Sequence, residues 1–321
     1  MPATLFLTCG LQGSGKTTLA RRLAEEHAAL RSPPTSGCPD HRRAVRPGLG
    51  TLPAGASHPG RAAPLRPDAL TGVASGAAGR QDGRMDPDAA PLERPTMLLV
   101  HSPLLTPASW DALLPYLTAA GWRVVVPDLR PLVEAPSFHA AVRAAAVAGV
   151  APGAPTVVVG HSRAGAYLPG IVDAVGGRDV VFLDARLPHP GASWLGSSPP
   201  ERAAWLRERS TSGRLPRWDT WFPADSMAEL LPDPGQRRHV LADLPELPWQ
   251  VVAEILPPAG AGWESARRGY LRLSRGYEPT AAEAEGSGYR VRRVETDHLA
   301  MVSRPELVAE LILSTVGAGA R

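Results

Sequence analysis

The stretch Thr156-Val-Val-Val-Gly160-His161-Ser162-Arg163-Ala164-Gly165 decides how this chain folds. Its first four residues are apolar or β-branched, as in a buried strand, and the residues after Gly165 take up helical spacing as far as about Ala174. A strand that turns at once into a helix brings two backbones close together, so the residues flanking the turn must be small. Gly160 and Ala164 meet that need, with His161 between strand and turn, and the tight geometry holds Ser162 in a strained, outward-facing conformation. An exposed serine on such a turn has the geometry of a nucleophile, whereas a serine that only capped a helix would not require small neighbours on both sides.

Outward from this elbow, apolar strand runs alternate with helical patterns. Met97–Val100, Trp122–Val126, Val180–Leu183, Tyr270–Leu273 and Tyr289–Val294 read as strands, and Ser109–Ala120, Phe138–Ala148 and Glu306–Val316 as helices. Alternation of this kind predicts right-handed crossovers and a mostly parallel sheet flanked by helices, an α/β architecture. The periodicity fails over about 186–269, a long insertion holding six of the eight tryptophans, and this segment is expected to cap a site. Its tryptophans and prolines favour an apolar pocket and a small or mid-sized apolar substrate.

The elbow and the strand-helix series resemble the α/β-hydrolase superfamily over about Met97 to Val316. The resemblance implies a serine hydrolase of carboxylesterase type that works without a cofactor or metal on a small ester-like molecule. It also places the general base after the last strand, where Asp297-His298 stands, so His298 is expected to take the Ser162 proton. The third member is open between two carboxylates. Val180-Val-Phe-Leu-Asp184 ends a strand as the acid-bearing segment of pancreatic-type lipases does, while Glu278 lies near the position used by most members of the fold. Asp184 is the first candidate, Glu278 the alternative, and Asp297 a supporting residue.

The oxyanion hole implied by the resemblance uses the N–H of Arg163 and one from the loop after the first strand. That loop, His101-Ser102-Pro103-Leu104-Leu105, is similar to the loop of the methylesterase and hydroxynitrile lyase branch. Pro103 departs from the pattern, because proline has no N–H to donate. Leu104 or the Ser102 hydroxyl must then substitute, or the site is slow or belongs to a lyase or a non-catalytic protein of the same fold.

Residues 1–31 read differently. Gly10-Leu-Gln-Gly13-Ser-Gly15-Lys16-Thr17 lies between a short strand and a helix and has Walker A spacing, similar to P-loop nucleotide kinases. The pattern implies that Gly10, Gly13, Gly15, Lys16 and Thr17 could cradle nucleotide phosphates. No apolar strand ending in an aspartate follows it before the hydrolase region begins, and one β-loop-α unit cannot bury its own apolar face, so a fragment without kinase activity is expected. Residues 32–95 have no apolar period and are rich in Pro, Gly, Ala and Arg, the composition of a disordered linker, leaving 96–321 as the hydrolase domain.

Composition sets the remaining bounds. The formal net charge is only +3, with no basic stripe interleaved with aromatics, which argues against nucleic acid as a partner. No apolar run reaches a membrane-spanning length and the start lacks a charged secretory leader, so neither membrane nor export is expected. Cys9 and Cys38 both lie outside the hydrolase region, in keeping with a reducing cytoplasm. The oligomeric state is not encoded in any of these features.

Overall fold

The structure is a computed structural model of the 321-residue chain and describes residues 95–317. The P-loop positions Gly10, Gly13, Gly15, Lys16 and Thr17 and nearly all of the expected linker lie outside the described residues.

In chain order, β1 (Thr96–Val100) leads through a 3-10 turn (Pro107–Ser109) to α1 (Leu114–Ala119), β2 (Arg123–Val125) and, past a second 3-10 turn (Pro131–Glu134), to α2 (Phe138–Gly149). Next come β3 (Thr156–His161), a 3-10 turn (Ser162–Tyr167), α3 (Leu168–Val175) and β4 (Asp179–Leu183). The insertion holds α4 (Pro200–Arg209), β5 (Arg214–Leu215), a 3-10 turn (Trp218–Trp221), α5 (Ala224–Leu230), α6 (Pro234–Leu241), β6 (Leu247–Pro248), α7 (Trp249–Ala253) and α8 (Ala261–Ser265). The chain then returns through β7 (Arg267–Arg272), a 3-10 turn (Arg275–Tyr277), α9 (Glu278–Gly286), β8 (Arg290–Arg293), α10 (Ala300–Ser303) and α11 (Pro305–Gly317).

Six strands form one wholly parallel sheet in the order β2-β1-β3-β4-β7-β8, and β5 and β6 pair separately as a short antiparallel ribbon. Every residue of β1, β3 and β4 is buried, as strands covered on both faces must be. The edge strand β8 reads Arg-Val-Arg-Arg, and its charged, largely exposed side chains discourage another strand from pairing there. The expected helix Ser109–Ala120 is split. Pro115 lacks an amide hydrogen and its ring would collide with the carbonyl four residues back, so it is accommodated only in the first turn of α1.

The insertion is more regular than its sequence implied, because its helices are short and two of them begin at proline rather than at a periodic apolar face. Two carboxylates latch it to the sheet layers. Asp173 on α3 accepts hydrogen bonds from the Gly260 and Trp263 amides at 2.6 and 2.8 Å. Glu254, just after α7, accepts from the Ser137 hydroxyl at 2.6 Å and the His139 amide at 3.1 Å, both at the start of α2.

Candidate active site

Strand β3 delivers Ser162 at its C-terminal end with φ = 56°, in the left-handed region. A non-glycine residue there costs on the order of 1–3 kcal/mol, strain that only a tightly packed surround sustains. Gly160 and Gly165 provide the packing. A Cβ at Gly160 would stand 2.7 Å from Leu168, and one at Gly165 would run into the Arg186 carbonyl oxygen. The close approach at Gly165 was not evident in the sequence, because the segment it abuts follows β4 and meets it only in three dimensions. Ala164 is fully buried beside it.

Ser162, His298 and Asp184 stand in one hydrogen-bonded row. The Ser162 hydroxyl lies 3.1 Å from His298 Nε2, and His298 Nδ1 lies 2.7 Å from Asp184 Oδ2. Asp184 is fully buried at the end of β4, itself at a positive φ of 44°. Its Oδ1 accepts from the Leu273 and Ser274 amides at 2.9 and 3.0 Å, and its Oδ2 also accepts from the Ser274 hydroxyl at 2.6 Å. Four donors thus converge on a carboxylate, which can only accept, and this fixes the proton of His298 on Nδ1 and leaves Nε2 bare toward Ser162.

The alternative acid, Glu278, is not brought to this row. It lies on α9 with 45% of its side chain exposed and pairs with Arg293 Nε at 2.8 Å and Arg272 Nε at 3.0 Å. The physical reason is the direction of α9, whose first turn faces the charged edge strand rather than His298. Tyr277, one residue earlier, stacks flat on the His298 ring, with centroids 5.0 Å apart and planes 7° apart, and its hydroxyl is 3.5 Å from Ser162 Oγ. Asp297 accepts from the Leu299 amide at 2.8 Å and the Ser303 hydroxyl at 3.1 Å, bracing the turn that carries His298, and burial raises its pKa.

Two further histidines hold the backbone of the site. His161 Nε2 donates to the His298 carbonyl at 2.9 Å, and its buried Nδ1 has no partner. Burial, aided by the nearby His298, pushes its pKa well below the ordinary range, so the ring is neutral. His101 Nε2 accepts the Leu129 amide at 3.0 Å while its Nδ1 donates to the Ser102 carbonyl at 2.8 Å. Burial pushes its pKa down to about 4, and this neutral ring ties the loop after β1 to the loop after β2.

That loop carries the candidate oxyanion donors. Leu104 N–H, beyond Pro103, points to the Ser102 hydroxyl at a long 3.3 Å, so the two substitutes expected for the missing donor are bonded to each other. Arg163 is the second residue of the 3-10 turn that starts at Ser162, where amide hydrogens have no acceptor within the turn itself. Leu104, Ser162, Arg163 and His298 open on one cavity of about 120 Å³, roofed by the insertion through Trp194, Trp218, Trp221 and Phe222.

The expected apolar pocket is only half right. Arg163, Arg186 and Arg202 also line the cavity, because each stacks its guanidinium on an aromatic ring: Trp194 at 4.5 Å, Tyr277 at 5.3 Å and Trp205 at 4.1 Å respectively. Nor do all the insertion's tryptophans face the site, since Trp263 packs edge-on against Phe182 of the central sheet.

A serine held at positive φ between a parallel strand and a helix, in line with a buried histidine and aspartate, defines a protein of the α/β-hydrolase class. Sequence comparison agrees with the geometry. The chain belongs to the Alpha/beta hydrolase family, whose profile matches residues 97–311. Tomato methylketone synthase I in complex with 2-tridecanone is similar in shape, with a TM-score of 0.57 at 15% identity, over 70% of this chain and 98% of that one. An extracellular α/β-hydrolase from a Paenibacillus species gives 0.54 at 20% identity, over 69% and 98%. Polyneuridine aldehyde esterase gives 0.53 at 19%, over 69% and 99%. No curated protein sequence matches the chain. Among the described residues no group of three or more acidic, histidine or cysteine side chains could hold a metal ion, and no helix is long and apolar enough to cross a membrane.

Proposed function

We propose that the protein is a serine hydrolase that cleaves an ester or similar acyl bond of a small molecule through an acyl-enzyme on Ser162. The observation that carries this reading is the unbroken row from Ser162 Oγ through His298 to the four-times-bonded Asp184. Ser162 Oγ attacks the carbonyl carbon as its proton passes to His298 Nε2, and Asp184 stabilises the imidazolium that forms. The carbonyl oxygen, now carrying the charge, is met by the Arg163 N–H and by Leu104 N–H, which gives up its long bond to Ser102. Collapse expels the alcohol, which takes the proton from His298. Water then loses a proton to the same nitrogen, attacks the acyl carbon and restores the Ser162 hydroxyl as the carboxylic acid leaves.

Two of the similar structures, an esterase and a pyrethroid hydrolase at about 20% identity, have activities in keeping with this chemistry. A second reading, a lyase or non-catalytic member of the fold, draws on Pro103, which removes one amide donor from the oxyanion loop. A fluorophosphonate probe read by intact mass separates the two. One adduct on the native chain and none on S162A is the expected result. A chain that takes up no probe and turns over no 4-nitrophenyl ester would sink the hydrolase reading.

A further inference from the structure

The side chain next to the nucleophile has a charge that no carboxylate around it answers; the groups set against it are the neutral Tyr167 hydroxyl and the Trp194 ring. Arg163 is only 8% exposed, yet it lines the cavity together with Ser162 and His298. One face of its guanidinium is covered by Trp194. Its buried Nε has no acceptor, and among the described residues no carboxylate comes within ion-pairing distance of it. Burial brings its pKa down to about 10, and Arg186 and Arg202 add like-charge repulsion, so the group is still a cation at neutral pH. Of the described residues that line the cavity, none is an aspartate or glutamate. Buried guanidinium groups are ordinarily paired, because leaving such a charge alone in a low-dielectric surround is costly.

We infer that the cavity selects a substrate with a carboxylate within a few bonds of its scissile carbonyl, and that the Arg163 guanidinium is the cation that recognises it. This rests on the hydrolase reading for the bond that breaks, but the recognition itself does not depend on turnover. A carboxylate matches the planar donor fork of arginine, with two oxygens facing two N–H groups, and the free Nε is one of those donors. Arg163 serves the site twice: its amide follows the nucleophile directly, and its side chain reaches into the same cavity, so an anion bound there lies close to the carbonyl under attack. Trp194, Trp218 and Trp221 would hold the apolar remainder of such a molecule. A neutral substrate would leave the cation buried without a counter-charge, and an amine would be repelled by it.

Two measurements test this. The first is calorimetric titration of S162A, which cannot turn over, with glutarate and with its neutral counterpart glutaramide. Glutarate should bind and glutaramide should not, and adding R163Q should abolish the glutarate signal. The second compares kcat/KM for mono-4-nitrophenyl glutarate and 4-nitrophenyl butyrate on the otherwise native chain. The ratio should favour the hemiester by about tenfold or more, as a charge-assisted hydrogen bond warrants, fall to near unity in R163Q and be partly restored in R163K, which keeps the charge without the fork. The ratio cancels any effect on the chemistry common to both esters, so a loss of packing alone would not move it. Equal binding of glutarate and glutaramide, or a ratio unchanged in R163Q, overturns the inference. Arg163-dependent glutarate binding with no hydrolysis of either ester leaves it standing and removes the hydrolase reading; hydrolysis that favours the neutral ester, with no glutarate binding, does the reverse. Should the Arg163 variants fail to fold, the S162A titrations and the native ester ratio decide.

Discussion

Asp184 illustrates how far one residue's environment fixes its neighbour's chemistry. The Leu273 and Ser274 amides both point at Oδ1, so that position must be an oxygen. In D184N the amide oxygen would therefore take this place, and the NH₂ group would face His298 Nδ1. That nitrogen would have to accept, its proton would move to Nε2, and the base facing Ser162 would be lost. We expect kcat on a 4-nitrophenyl ester to fall by about 10⁴, with the fold intact by circular dichroism. E278Q touches no member of the row; it gives up a pair with Arg293 and one with the buried Arg272, which keeps Glu295 as a partner, so kcat should stay near the native rate. A greater loss at Glu278 than at Asp184 would show that the row seen here is not the working one.

At the scale of elements, the elbow depends on a contact between β3's following turn and the chain leaving β4. G165A would thrust a methyl group into the Arg186 carbonyl, a backbone atom that cannot swing aside, and overpacking of this kind costs about 1–3 kcal/mol. G286A, at the end of α9, meets nothing within 4 Å and has no positive φ, so it should be neutral or stabilising by up to about 1 kcal/mol. Thermal melts of the two variants compare them directly, and equal melting temperatures would mean that the elbow has slack. The order of strands and helices was legible in the sequence because buried parallel strands are continuous apolar runs and the helices between them keep their period. Ser162, His298 and Asp184 could be nominated from strand ends and chain order, and the structure brings those three together. What could not be read was the choice between Asp184 and Glu278, which depends on where α9 points, or the three arginines in the cavity. A guanidinium that lies over an aromatic ring is written in the sequence like any surface arginine.

Across the whole molecule, the buried neutral histidines set a response to acid. His101 has a folded pKa of about 4 against an ordinary 6.5, and that of His161 is also well below it. Between those values the unfolded chain binds protons that the folded chain refuses, so stability is fully present above about pH 6.5 and is lost as the pH falls toward 4. For His101 alone the shift amounts to about 3 kcal/mol. The melting temperature should drop steeply from pH 7.5 to 5, a window above the range where ordinary carboxylates titrate. A melting temperature that is flat across it would contradict the neutral, buried state of both rings.

The sheet order also governs how the chain must assemble. Strands β1 to β4 pair with near neighbours in sequence, but β4 next meets β7, with Leu183 beside Leu271 and the whole insertion between them. Closing so long a loop costs conformational entropy before any pairing repays it, and such distant contacts slow folding. Ser162 and Asp184 belong to the part that can form early. His298 lies beyond β8, and the Leu273 and Ser274 amides that clamp Asp184 lie just beyond β7. The reactive serine therefore has no base until the late half of the sheet has docked. A nascent or partly refolded chain carries an unactivated hydroxyl, and catalytic competence arrives only with the completed fold.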